Sequence, residues 1–281
     1  VRQIALNYKP HRQEFIFQTP RHHSQFLDAG AAWLTGDVQV RTGDIPILLR
    51  ADARPKDLVY LEELYAQAIE YPFVPSIKRI SGPAYPGAAF GTTEMRVIRK
   101  RLAASKSVFD FSNPDMSAVL DELVARGWKR TKKLCPDLYD AMDSAPKARA
   151  EWRIRDTPFT SGVINASAAI PYHRDRGNVA NSGSVMWVAR KLVDGGHLHI
   201  PELNVVVDCR HGTLLVFYGE IFWHGVTVIK GLSRARAGRF SVVAYSKKSI
   251  LNAKSPQEEH YEAALRGTRL ADKRRDTVLE Y

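Results

Sequence analysis

Cysteine is almost missing from this chain. Two thiols in 281 residues, Cys135 and Cys209, cannot build a disulfide framework, and neither belongs to a Cys-x-x-Cys pair that would hold structural zinc or do redox work. Long apolar runs are missing too. None approaches the roughly 18–20 residues that span a bilayer, and the Val1-Arg2-Gln3 start carries no apolar signal core. The expectation is an intracellular protein with no membrane contact, nuclear if its source is eukaryotic. Internal repeats and low-complexity linkers are also wanting, which argues for one domain rather than an array. Acidic residues are the scarcer charge: 30 Asp+Glu against 41 Lys+Arg leave a formal charge of +11. A basic surface attracts polyanions through counterion release, so nucleic acid is a candidate partner and small free substrates are disfavoured.

What is present suffices for a core, with 44% hydrophobic and 10% aromatic residues. The first fifty residues mix charge, Pro and Gly and read as extended and loop-rich. From Lys56 the pattern changes: Leu58, Leu61, Leu64, Tyr65 and Ile69 recur at helical spacing before Pro72. Ser81–Gly91, broken by three glycines and two prolines, reads as a loop. A second helix is expected over Asn113–Gly127, with Pro114 in its first turn and Gly127 capping its end, and a shorter one over Asp137–Met142. Basic runs stand out at Arg96–Arg101, Lys129–Lys133, Lys230–Arg236 and Lys247–Lys248.

After Thr157 short apolar segments follow one another between Gly, Asn, Asp and Pro punctuation: Gly162–Ala169, Ser184–Val188, His197–Ile200, Val205–Asp208, Thr213–Tyr218, Gly225–Ile229 and Arg239–Tyr245. Such dense, short segments suit a sandwich or jelly roll rather than alternating β/α units. A last helix is expected over Ser255–Arg269, with a basic end at Lys273–Arg275. The expected architecture is α+β, a single domain over 1–281. Its helical and loop-rich part, 1–156, would buttress a double-stranded β-helix (jelly roll) over 157–250, followed by a C-terminal helix and basic tail over 251–281.

One constellation can carry chemistry. In His173-Arg174-Asp175, at the expected end of a strand, residues two apart share a face, so the imidazole and the carboxylate can chelate one ion. A third ligand is available at His224. Two His and one carboxylate with open remaining positions make the facial triad of non-haem Fe(II) oxygenases. Taken alone, the pair equally suits a solvated turn, and His224 a core histidine. Arg239 and Ser241 share a face of the next strand, and an Arg turned into a barrel core needs a counter-anion. A dicarboxylate would serve, and so would an internal carboxylate.

His173-x-Asp175, Gly195-Gly196-His197-Leu198 with Pro201, Gly212–Phe217, His224-Gly225 and Arg239-x-Ser241 together resemble the Fe(II)/2-oxoglutarate dioxygenase superfamily. Within it, their order is most similar to the TET/JBP branch, which oxidises methyl groups of 5-methylcytosine or thymine in DNA. The resemblance covers about Ser161 to Lys248. It implies Fe(II) held by His173, Asp175 and His224, 2-oxoglutarate held by Arg239 and Ser241, O₂ as co-substrate, and a monomer acting on a DNA base flipped into the site. Asn178 matches a base-binding Asn and Tyr245 a base-stacking aromatic, although a turn residue and a core tyrosine would look the same. Where animal members place a base-contacting His, this chain has Lys247, which donates but cannot accept. Arg174 and Arg176 flank Asp175 as candidate phosphate contacts. The activity implied is oxidation of 5-methylcytosine in DNA to 5-hydroxymethylcytosine. Alternatives are thymine hydroxylation, N6-methyladenine demethylation, an RNA, nucleotide or amino-acid substrate, and a β-sandwich DNA-binding module without turnover.

Overall fold

In the computed structural model, which describes residues 1–5, 30–77, 84–97 and 100–266, the short apolar segments become strands in two facing layers. The N-terminal part supplies β1 (Arg2–Ala5), β2 (Ala32–Leu34), β3 (Val38–Thr42), β4 (Ile45–Asp52), β5 (Pro75–Ile77), β6 (Tyr85–Val97) and β7 (Lys100–Lys106). Downstream come β8 (Ser161–Ala166), β9 (Ser184–Lys191), β10 (Asp194–Gly195), β11 (Leu198–Ile200), β12 (Val205–Val207), β13 (Thr213–Phe217), β14 (Gly225–Val226), β15 (Ile229–Lys230) and β16 (Gly238–Tyr245). The large sheet runs β1-β3-β4-β13-β9-β16-β8-β6-β5, with β7 on β6; the small sheet runs β14-β11-β12-β2, and β10 pairs β15. This is a mixed α+β protein built on a jelly roll.

The helices are α1 (Pro55–Glu70), α2 (Val108–Ser112), α3 (Pro114–Leu134), α4 (Pro136–Asp143) and α5 (Lys248–Leu251); residues 256–266 are also helical. Helix α1 follows the expected stripe: Leu61, Leu64, Tyr65 and Ala68 are buried. Its Asp57, in the first turn where a carboxylate suits the helix dipole, accepts the Arg54 backbone N–H at 3.2 Å. Burial pushes the Asp57 carboxyl up, but Arg54 and Arg126 outweigh this and hold it below the ordinary range. Arg126 and Arg130 of α3 reach the same carboxylate at 3.3 and 3.1 Å, locking the two helices together.

Three expectations are corrected. The N-terminal part is more than helices and loops, because β3, β4 and β6 are strands of the large sheet itself. The apolar run within β4 is buried on both faces and pairs β13, Leu48 opposite Phe217. Ser81–Gly91 is not a loop throughout: from Tyr85 it is β6, paired with β8 in register Ala88 to Ile164. A Cβ on Gly162 would lie 2.1 Å from the Phe90 ring, so the aromatic of β6 covers the bare backbone of its neighbour. Gly127 does not end α3, which runs on to Leu134. A Cβ there would meet Val185 at 2.6 Å, so the glycine lets the helix approach the sheet. Beside it the buried Trp187 indole donates to the Leu123 carbonyl at 2.7 Å.

Among the described residues no helix is long and apolar enough to cross a membrane. The run Lys273–Arg275 and the expected helix beyond residue 266 lie outside the described residues.

Candidate active site

His173 and Asp175 do not sit at the end of β8, as their sequence context suggests, but beyond it in a segment tied to the small sheet by the His173–His224 bridge and by the Val226 N–H donating to the Ile170 carbonyl at 2.8 Å. There the His173 N–H donates to the His224 carbonyl and the His224 N–H to that of His173, both at 3.0 Å. His224 is followed at once by β14. Side chains then converge: His173 Nε2 lies 3.5 Å from Asp175 Oδ1, and His224 Nε2 lies 3.7 Å from Asp175 Oδ2. Three ligand atoms fall within 4.8 Å of one another, close enough to share one ion.

Ring orientation favours the same use. His173 Nδ1 donates to the Pro171 carbonyl at 2.8 Å, and His224 Nδ1 to the Phe222 carbonyl at 3.0 Å. A carbonyl only accepts, so each Nδ1 carries a proton, and Nε2, which faces Asp175, is the atom each ring has left to offer a metal. The Phe217 ring packs edge-on against His224 at 5.0 Å. Gly219 accepts the Asp175 N–H at 2.9 Å, and a Cβ on it would lie 2.7 Å from Asp175 Oδ2. Only a residue without a side chain leaves the carboxylate its place. Gly219 went unnoticed in the sequence; its position just after the apolar β13 run was the available signal.

Arg239 projects from β16 into the interior, 1% exposed, and Nε, Nη1 and Nη2 all lack a hydrogen-bond partner among the described residues. Burial pushes its pKa down; the Cys209 thiol favours its charge and Arg190 opposes it. Gly196 packs on it so closely that a Cβ would lie 2.5 Å from Arg239 Cδ. Ser241, buried on the same face, accepts from Asn165 Nδ2 at 3.4 Å, and Asn165 Oδ1 is itself buried without a partner among the described residues. A buried guanidinium with no counter-charge is costly, and a carboxylate placed here would offset that cost. Asn165 is a second residue that sequence reasoning missed.

The residues expected to meet a base gather at one end of the barrel. Asn178 is buried, donates its backbone N–H to the Asp175 carbonyl at 2.9 Å and faces Lys247 across an isolated bridge. Its amide donates to Ser184 Oγ at 3.3 Å. Half-buried Tyr245 ends β16 opposite Ser161 and Ser184. Lys247 is paired with Glu94 at 3.0 Å, and Lys248 Nζ donates to the carbonyl of exposed Arg176 at 3.2 Å. Two proposed phosphate contacts are corrected: Arg174 is bound to the buried Glu202 carboxylate, and Arg130 of the Lys129–Lys133 run is buried against Asp57. In Lys230–Arg236, Arg236 pairs with Glu70 at 3.1 Å while Arg234 is exposed. Side chains of Arg96–Arg101 lie outside the described residues.

A family model described as the oxygenase domain of the 2OGFeDO superfamily, Tet_JBP, matches residues 100–248, just over half of the chain. The chain belongs to the TET/JBP oxygenase family. This superfamily uses Fe(II) and 2-oxoglutarate, and the two halves of the site fit that pair: a His-Asp-His donor set for the metal and an unpartnered buried guanidinium for a carboxylate. Among solved structures the chain is similar to NgTET1 in complex with 5mC DNA, at 12% identity over 79% of this chain and 80% of that one, with a TM-score of 0.56. It is also similar to a 2OG-Fe(II) oxygenase-family oxidoreductase from Burkholderia pseudomallei, at 15% identity over 89% and 100% with a TM-score of 0.45. A third is the viral collagen prolyl hydroxylase of Paramecium Bursaria Chlorella virus-1, at 12% identity over 71% and 94% with a TM-score of 0.41. No curated protein matches the sequence.

Proposed function

We propose that this TET/JBP-family oxygenase oxidises the methyl group of 5-methylcytosine in DNA to 5-hydroxymethylcytosine. In this reading His173, Asp175 and His224 hold Fe(II), and Arg239 with Ser241 holds the distal carboxylate of 2-oxoglutarate. The observation that carries the catalytic half is an Arg239 guanidinium without a hydrogen-bond partner among the described residues, in the same jelly roll as a triad whose two Nε2 atoms face one carboxylate. Bound together with O₂, the metal and co-substrate supply the oxidising power that inserts one oxygen into a C–H bond while 2-oxoglutarate becomes succinate and CO₂.

The chain's own residues supply geometry. Proton-locked imidazoles keep the ligand atoms aimed at one point, and Gly219 leaves Asp175 room to reach it. A methyl group inside a duplex cannot reach a site within a barrel, so the base must leave the stack at a cost of about a few kcal/mol. Asn178 and Tyr245 at one end of the barrel are assigned to hydrogen-bonding and stacking on that base. Lys247, Lys248 and Arg176 beside them are assigned to the backbone. Net charge of +11 and a fold shared with NgTET1, solved with 5mC DNA, support a DNA substrate.

The test is aerobic incubation with Fe(II), 2-oxoglutarate and duplexes carrying 5-methylcytosine, thymine or N6-methyladenine, followed by mass spectrometry of the nucleosides. 5-Hydroxymethylcytosine is expected, and absent when Asp175 is changed to Ala. Hydroxymethyluracil or demethylated adenine would redirect the substrate, and no oxidised base from any duplex would sink the DNA reading.

A further inference from the structure

Glu202 joins the two segments that carry the candidate ligands and is not itself one of the three. It sits in the 3-10 turn Pro201–Leu203 between β11 and β12, a turn closed by Asn204 in the left-handed region at φ 51°. Its side chain is fully buried. Its two oxygens serve different segments. Oε2 accepts the backbone N–H of Trp223, the residue before His224, at 2.7 Å, and Oε1 accepts from Arg174 Nη2, the residue between His173 and Asp175. The Arg174 guanidinium also lies over the Trp223 ring, 5.4 Å from its centre.

Backbone hydrogen bonds already align the two segments: the Val226 N–H donates to the Ile170 carbonyl at 2.8 Å, His173 and His224 exchange bonds at 3.0 Å, and the Asp175 N–H donates to the Gly219 carbonyl at 2.9 Å. These bonds fix the main chains and do not hold the side chains that flank the ligands. Glu202 adds a side-chain tie beside the ligands, through Arg174 and Trp223. Burying a carboxylate is expensive unless it is paired and hydrogen-bonded, and here both partners of the Glu202 carboxylate, Arg174 and Trp223, flank a ligand. Arg174, placed by its charge and position among the phosphate contacts, is thereby explained as the arm of this tie.

We propose that Glu202 is a positioning residue of the metal centre, holding the His173-Arg174-Asp175 segment against Trp223-His224 so that three ligand atoms meet. This rests on the triad binding a divalent metal and is independent of the nucleic-acid substrate. The test is titration of the full apo chain with Co(II), read by its visible ligand-field bands and by calorimetry, with thermal unfolding followed in chelator. Glu202→Ala should weaken Co(II) binding about tenfold to a hundredfold and alter the bands, because partners behind metal ligands contribute on this scale. Arg174→Ala should lose a comparable factor, and the double variant should fall no further than the worse single one. Glu202→Gln keeps an acceptor for the Trp223 N–H but loses the charge facing Arg174, and should recover part of the affinity. A folded Glu202→Ala protein with wild-type Co(II) affinity and bands overturns the proposal. If that variant does not fold, wild-type affinity and bands in Glu202→Gln overturn it instead. Asp175→Ala separates the two failures: unchanged Co(II) binding there defeats the metal reading itself, whatever Glu202 does.

Discussion

Two arginines in the large sheet are equally buried, each 1% exposed, and their surroundings could hardly differ more. Arg50, on β4, is saturated. It donates to the Gly36 carbonyl at 2.8 Å, to Asp52 at 2.6 Å, to the Asp208 carbonyl at 3.2 Å and to Thr213 Oγ1 at 3.3 Å. Arg239, on β16, has no hydrogen-bond partner for any of its three side-chain nitrogens among the described residues. Arg190, its cross-strand neighbour, spends its own donors on the carbonyls of Gly195, Cys209 and Val193. The fold therefore has the means to satisfy an interior guanidinium, and does so at Arg50 on β4 and at Arg190 on the strand next to Arg239. An Arg left over in such company is what the proposed 2-oxoglutarate site requires, and the contrast makes that proposal testable.

Replacing each arginine by Met should separate structure from binding. The largest effect is expected at Arg50→Met, which strands two backbone carbonyls and a hydroxyl; unfolding free energy should fall by about 3–4 kcal/mol in denaturant titrations. Arg239→Met should leave the apo protein as stable as before or more so, since an apolar side chain replaces an unpaired charge. It should still cost about 2–5 kcal/mol in 2-oxoglutarate binding, measured by calorimetry on the Co(II)-loaded chain. If Arg239→Met destabilises the apo protein as Arg50→Met does, the contrast collapses and Arg239 is structural.

A third effect is expected in acid. His197, beside Gly196, is held down at about 4 by burial, with Asp208 opposing and Arg190 and Arg239 reinforcing the shift. Above pH 6.5 it is neutral whether folded or not and adds no pH dependence. As pH falls from 6.5 toward about 4 the unfolded chain takes up a proton that the folded chain refuses. Stability should drop by about 3 kcal/mol across that window, with the loss complete below it. His197→Gln should flatten the drop, and Arg239→Met should shrink it by removing one repelling charge; identical profiles for all three would show that Arg239 does not act on His197.

The smallest effect repeats the contrast at the surface. Lys248 is exposed and meets only a carbonyl, whereas Lys247 is already paired with Glu94. Lys248→Ala should lower the salt slope of DNA binding by about one, and Lys247→Ala by less. Equal changes would mean that the Glu94 pair opens on binding.

Much of this was legible before any coordinates. Helix α1 could be read because its buried residues recur with the helical period, and the strands after Ser161 because each is short and sharply punctuated. The triad and the Arg239–Ser241 pair were legible because they combine residue types with few other common uses at such spacing. Gly127 and Gly162 were not, because a glycine that ends an element and one that lets another element come close look alike in one dimension. Arg174 and Arg130 failed for a related reason: a basic residue in a basic run looks like a surface charge until its carboxylate partner, far along the chain, is known.

The sequence by itself determined which elements form and which residue types are available for chemistry, because periodicity, turn residues and donor types are local properties. Only the tertiary structure decided which charges are paired within the protein and which are not. The partners of Arg50, Arg174 and Arg130 come from distant segments, so Arg239 could be recognised as the one left over in its neighbourhood only once those segments were packed around it.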